Sequence, residues 1–72
     1  MKNLKYFRLN EDVLTQNLLP IKEGRITDIN EVRTLGMELT KEQSESKPIK
    51  GHGNIKVDGN GNYEWVNMNW SY

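Results

Sequence analysis

The chain has no cysteine and only one histidine among its 72 residues. Disulfides and thiolate metal sites are therefore excluded, and one imidazole is too few for a histidine-based structural zinc site. We expect no metal and no cofactor. A chain of this size buries about 60% of its unfolded surface, and its core supplies roughly 3–5 kcal/mol. That leaves good packing or self-association to supply the remaining stability, and we expect self-association.

Long apolar runs and an excess of charge are also missing. No stretch approaches the ~20 apolar residues of a membrane span, and no apolar segment follows the basic start at Lys2 and Lys5 as it would in a signal peptide. Ten basic and ten acidic residues leave no net charge. This balance argues against a general nucleic-acid binder. Together these absences predict a cytoplasmic protein without a membrane partner.

The most informative segment is the C-terminal one. Strand-type residues flank Asp58-Gly59-Asn60-Gly61-Asn62, whose Asp-Gly and Asn-Gly pairs supply the positive φ angles of a hairpin turn. Regular alternation divides the second arm into two faces. The face expected to pack on the main helix carries Val66, Met68, Trp70 and Tyr72. The other face carries Tyr63, Trp65, Asn67 and Asn69, and it is expected to point outward or toward a partner. The alternative is that Tyr63 and Trp65 are buried in the core of a two-sided sheet.

The first half of the chain alternates between strand and helix signals. Residues 4–9 read as a strand, and Asn10 is placed to cap a short helix from Glu11 to Leu18 that Pro20 ends. A strand through residues 13–15 is the alternative. Gly24 suits a turn, and a short strand is expected at residues 25–27.

A helical stripe of apolar residues predicts the main helix, from Ile29 to about Lys41, with its cap at Thr27 or Asp28. Gly36 costs about 1 kcal/mol there relative to alanine, and close approach to the sheet would explain its presence. Because residues 35, 37 and 39 also alternate, a strand within residues 32–39 is the competing interpretation. From about residue 41 to residue 53 the apolar signal disappears, which predicts the frayed helix end and then a polar connector.

These patterns predict one α+β domain over residues 1–72, with three or four antiparallel strands packed on one main helix and a C-terminal β-hairpin. Catalytic signals are weak, so we do not expect an enzyme. His52 lies in a glycine-flanked loop without an orienting partner. Asp58, Asn60 and Asn62 have the spacing of the first calcium-loop ligands, but Tyr63 stands where that loop needs glycine and Asn69 where it needs glutamate.

Protein binding is the function that uses the most features of the chain. The predicted partner-binding residues lie on the terminal hairpin, where aromatic side chains are typical of interfaces: Tyr63, Trp65, Asn67, Asn69 and Lys56. The expected role is a small inhibitor or adaptor of a larger protein. Asparagine and lysine richness suggests a phage or low-GC bacterial source. Two alternatives remain, a self-assembling structural subunit and a single-stranded nucleic-acid binder with an aromatic and basic sheet face.

Overall fold

The structure, a computed structural model, describes residues 4–70. These residues form strands and short helices that alternate along the chain. The strands are β1 (Lys5–Asn10), β2 (Ile21–Lys22), β3 (Arg25–Ile26), β4 (Met37–Leu39), β5 (His52–Val57) and β6 (Tyr63–Asn69). The helices are α1 (Glu11–Thr15), α2 (Ile29–Leu35) and α3 (Lys41–Glu45).

Four of the strands form an antiparallel sheet in the order β4-β1-β5-β6, while β2 and β3 form a separate hairpin. The α+β class and the C-terminal hairpin predicted from the sequence are confirmed. In the hairpin turn, the Asp58 Oδ1 atom accepts hydrogen bonds from the backbone N–H groups of Asn60 at 2.8 Å and Asn62 at 3.0 Å. The Asp/Asn alternation therefore serves the turn itself.

One face of the sheet, which we call the core face, carries the hydrophobic core. Alternation along β1 and β5 points four buried side chains to this face: Phe7, Leu9, Ile55 and Val57. Val32 of α2 and Ile26 of β3 belong to the same buried cluster. Each fully buried side chain of this kind contributes about 1.5–3 kcal/mol, so the central strands β1 and β5 hold the fold together.

The opposite face of the sheet, which we call the polar face, is covered by α3. This helix contacts all four strands of the sheet. Its start is fixed by a capping box, in which Thr40 Oγ1 accepts from the Gln43 N–H and Gln43 Oε1 accepts from the Thr40 N–H. Ser44 on α3 is fully buried. The first half of the predicted polar connector is thus a docked helix and not the frayed end of a longer one.

The predicted helix over residues 29–41 is wrong in its second half. α2 ends at Leu35, and the chain continues as β4, which pairs with β1. The cause is Gly36, which approaches β1 so closely that an added Cβ would collide with the carbonyl oxygen of Arg8. The close approach expected for Gly36 is confirmed, but it belongs to a helix end. The competing strand interpretation is correct for residues 37–39.

Local signals at the starts of the helices are confirmed. The Asn10 side chain caps α1 by accepting from the Asp12 N–H, and Asp28 caps α2. α1 is shorter than predicted, because Asn17 adopts a positive φ of 54° soon after the helix ends. No helix within residues 4–70 is long and apolar enough to cross a membrane.

Candidate functional site

β6 is an outer strand with exposed apolar side chains. In the described part of the chain this strand of seven residues pairs with β5 alone, so it is an outer strand of the sheet. Glu64 is its one charged residue, and it contains neither proline nor glycine. Outer strands usually carry lysine, proline or another device that prevents pairing with other chains. β6 has little of this protection apart from a β-bulge.

The bulge lies at Val66 and changes which side chains share a face. Ile55 is opposite Trp65 and Asn54 is opposite Asn67, so Val66 has no partner on β5. In a regular strand, Trp65 and Trp70 would point to opposite faces, because they are an odd number of residues apart. The extra residue reverses the alternation and brings both indoles over Gly53 on the core face.

The two tryptophans form an edge-to-face pair with ring centroids 5.5 Å apart and an interplanar angle of 75°. Gly53 makes this arrangement possible. A Cβ atom there would lie 2.8 Å from Cη2 of Trp70 and 2.9 Å from Cζ3 of Trp65. Both indoles are half-buried, so the pair is partly exposed at the free side of the sheet.

The face assignment made from the sequence is wrong for Tyr63 and Trp65, whereas Met68 lies opposite Gly53 on the core face, as expected. Tyr63 and Trp65 do not point outward, since both pack against the buried core. Val66 and Met68, assigned to the core, are 36% and 45% exposed. The assignment assumed strict alternation of side chains along the strand, and a β-bulge interrupts that alternation. Tyr72, which was placed on the same face as Val66, lies outside the described residues.

The remaining predicted site residues lie on the polar face. Asn67 Nδ2 donates to the Glu45 carbonyl at 3.1 Å, and Asn69 Nδ2 donates to the Pro48 carbonyl at 3.0 Å. Their amides thus hold the segment after α3 against the sheet. Lys56 Nζ lies 3.3 Å from Glu64 Oε1.

The five residues predicted to bind a partner are therefore divided between two faces, and their binding role stays a prediction. The geometry brings Tyr63 and Trp65 together on the core face, and Asn67 and Asn69 together on the polar face. Lys56 lies opposite Tyr6 on the polar face, away from Tyr63 and Trp65, and the nucleic-acid alternative stays a prediction. Sequence reasoning missed the exposed pair Val66 and Met68.

His52, the one histidine of the chain, begins β5. The His52 Nδ1 atom lies 3.3 Å from the Lys50 carbonyl oxygen, in the contact of a turn. Within residues 4–70 no group of three or more acidic or histidine side chains is placed to hold a metal ion. A cavity of about 510 Å³ lies beside the β5–β6 turn and is open to solvent. Its lining includes Lys5, Asp58 and the backbone of Gly61.

The chain matches no protein-family model, and neither the curated proteins nor the solved structures contain a significantly similar chain.

Proposed function

We propose that the chain is a non-enzymatic protein that binds another protein in the cytoplasm and acts as an inhibitor or adaptor of a larger partner. The observation that carries the proposal is the outer strand β6. This strand of seven residues carries a single charged side chain. Val66 and Met68 on it are exposed, and the half-buried tryptophan pair lies beside them. Tryptophan is enriched at binding hot spots.

The proposed contact is made in part by the backbone. An outer strand offers unpaired N–H and C=O groups on its free side, and a partner strand that pairs with them extends the sheet. Val66 and Met68 would supply apolar contact in the same interface. The Trp65–Trp70 pair would be covered further, which increases the apolar area removed from water.

Self-assembly is the second candidate function, because the same free strand can pair with β6 of another copy. A protein of 72 residues without crosslinks gains stability from association. The two functions differ in the partner and not in the surface. They are separated by asking whether β6 is covered by a foreign chain or by the protein itself.

The test is affinity capture from a lysate of the source cells, with and without nuclease, using matched variants. Val66→Lys places a charge on the free strand, and Leu14→Lys places the same charge on α1 at a site of equal exposure, 36% in both cases. The proposal predicts one stoichiometric protein partner that survives nuclease, is retained by Leu14→Lys and is lost with Val66→Lys.

Three other results would contradict it. Equal capture by both lysine variants would show that β6 is not the binding element. Recovery of nucleic acid, or of proteins lost on nuclease treatment, would favour the nucleic-acid alternative. Recovery of the bait alone, with a mass in solution that rises with concentration and falls in Val66→Lys, would establish self-assembly.

A further inference from the structure

A second surface, separate from β6, is a groove of about 400 Å³ at the other side of the sheet, which we call the Arg8 groove. It lies where β1, β4 and β5 meet the segment after α3. The groove is lined by Arg8, Asn10, Leu35, Gly36, Met37, Ile49 and His52. Among the residues that the structure describes, no acidic side chain belongs to this lining.

Arg8 is held in a fixed position at this groove. Its Nε atom donates to Asn54 Oδ1 at 3.0 Å, and Asn54 is fully buried. The Asn54 Nδ2 atom donates to the carbonyl oxygens of Ser44 at 3.0 Å and Ser46 at 2.9 Å. Two carbonyl acceptors on that side fix the orientation of the amide, so its oxygen faces Arg8.

The Arg8 guanidinium therefore has further N–H groups that can donate hydrogen bonds to a ligand. The bond to Asn54 uses Nε–H and leaves the two terminal nitrogens, which form the end of the planar fork that pairs with a carboxylate. Glu38, the acid on neighbouring β4, is opposite Phe7 and so belongs to the core face, where its Oε1 atom lies 3.0 Å from Arg33 Nε. It does not neutralise Arg8.

The walls of the groove are apolar and exposed. Met37 is 54% exposed and Ile49 is 64% exposed, and Leu35, at the end of α2, is half-buried. One oriented cation beside apolar side chains is complementary to a ligand that combines a carboxylate with apolar groups. Such a ligand is a short protein segment in which one acidic residue stands between apolar ones.

We propose that the Arg8 groove binds an extended segment of a partner protein through an Asp or Glu carboxylate that pairs with the terminal nitrogens of Arg8. Met37 and Ile49 contact the apolar side chains on either side of that acid. This contact does not involve β6, so the protein would have two binding surfaces, as an adaptor requires. The proposal stands whether or not β6 binds a partner.

The test uses three synthetic peptides and nuclear magnetic resonance of the isotope-labelled full chain. The probes are acetyl-Thr-Val-Asp-Val-Thr-amide and its counterparts with Asn or Lys at the centre. The Asp peptide is expected to shift the Arg8 Nε–H signal and the methyl signals of Met37 and Ile49. Its affinity should exceed that of the Asn peptide by about tenfold, as a charge-assisted contact requires, and the Lys peptide should not bind.

Matched variants separate the groove from general charge effects. Arg8→Gln should reduce affinity for the Asp peptide about tenfold, while Arg25→Gln, the same change at an exposed position on β3, should leave it unchanged. If Arg8→Gln does not fold, Ile49→Ser tests the apolar wall at an exposed position, and it should weaken binding and reduce the shift of the Met37 methyl signal.

The proposal is overturned if the Asp and Asn peptides bind equally. It is also overturned if Arg25→Gln weakens binding as much as Arg8→Gln, if Ile49→Ser leaves binding unchanged, or if no peptide binds at millimolar concentration. Capture by β6 would be unaffected by any of these outcomes, so failure here is distinct from failure of the proposed function.

Discussion

Replacing Asn54 with alanine should cost this protein most of its stability. The side chain is fully buried in β5 and makes three hydrogen bonds, one from Arg8 Nε and two to the carbonyl oxygens of Ser44 and Ser46. Three such bonds contribute about 3 kcal/mol at about 1 kcal/mol each, and a buried carbonyl left without a donor costs roughly 1–3 kcal/mol. Ser44 is itself fully buried, so water cannot replace the lost donor there.

The expected loss is about 4–6 kcal/mol, which is as large as the roughly 3–5 kcal/mol that a single core supplies. At about 4–8 °C per kcal/mol for a domain of this size, the Tm should fall by at least about 16 °C. Urea unfolding followed by tryptophan fluorescence and by circular dichroism measures the change. Hydrogen exchange over residues 41–50 shows whether α3 alone is released from the sheet or the whole domain unfolds.

Asn67→Ala is the matched control. It removes one exposed hydrogen bond to the Glu45 carbonyl, and it should cost less than about 1 kcal/mol. A loss for Asn54→Ala below about 1 kcal/mol, or no larger than that of the control, would refute the reasoning that a buried amide fastens α3 to the sheet.

Three further changes test other parts of the structure. Gly53→Ala places a Cβ within 2.9 Å of both indoles, and it should cost about 1–3 kcal/mol and alter near-ultraviolet circular dichroism. Gly59→Ala, where the added Cβ meets open space, should not alter that spectrum. Thr40→Ala removes the capping box of α3 and should lower the free energy of unfolding by about 1 kcal/mol in a urea titration. Lys56→Ala breaks an exposed ion pair with Glu64, and a change above about 1 kcal/mol in that assay would contradict the small value expected.

Those parts of the fold that depend on local chemistry were predictable from the sequence. Capping residues such as Asn10, and the turn residues of the terminal hairpin, act through their own backbone neighbours. Their positions were therefore predicted correctly without knowledge of the rest of the chain. The fold class followed from the same signals, because alternating strand and helix patterns of this length leave few architectures.

Features that depend on tertiary contact were not predictable. In the sequence, Gly36 resembles a residue that weakens a helix. The need for glycine at this position comes from its close contact with β1, which is far from it in sequence. The bulge at Val66 likewise depends on the register with β5, and it reverses the faces of everything after it. One signal was available in the sequence: Gly53 in a strand often marks close approach of other groups, which here are the two indoles.

Asn54 was missed for the same reason. An asparagine in a polar, glycine-rich stretch is typical of a turn, and nothing near it in sequence shows that it is buried. Its partners are Arg8 on β1 and the carbonyl oxygens of Ser44 and Ser46, which lie in the segment that the sequence predicts to be a polar connector. The hydrogen bonds of Asn54 join three segments that are far apart in sequence, so its role cannot be inferred from its sequence neighbours.

The most direct test of the β6 binding proposal is hydrogen–deuterium exchange of the free protein and of the protein in its captured complex. We expect amides within residues 63–69 to exchange faster in the free protein and to become protected in the complex, because a partner strand would pair with the free side of β6. Unchanged exchange over residues 63–69, with protection confined to other segments, would contradict the assignment of β6 as the binding element.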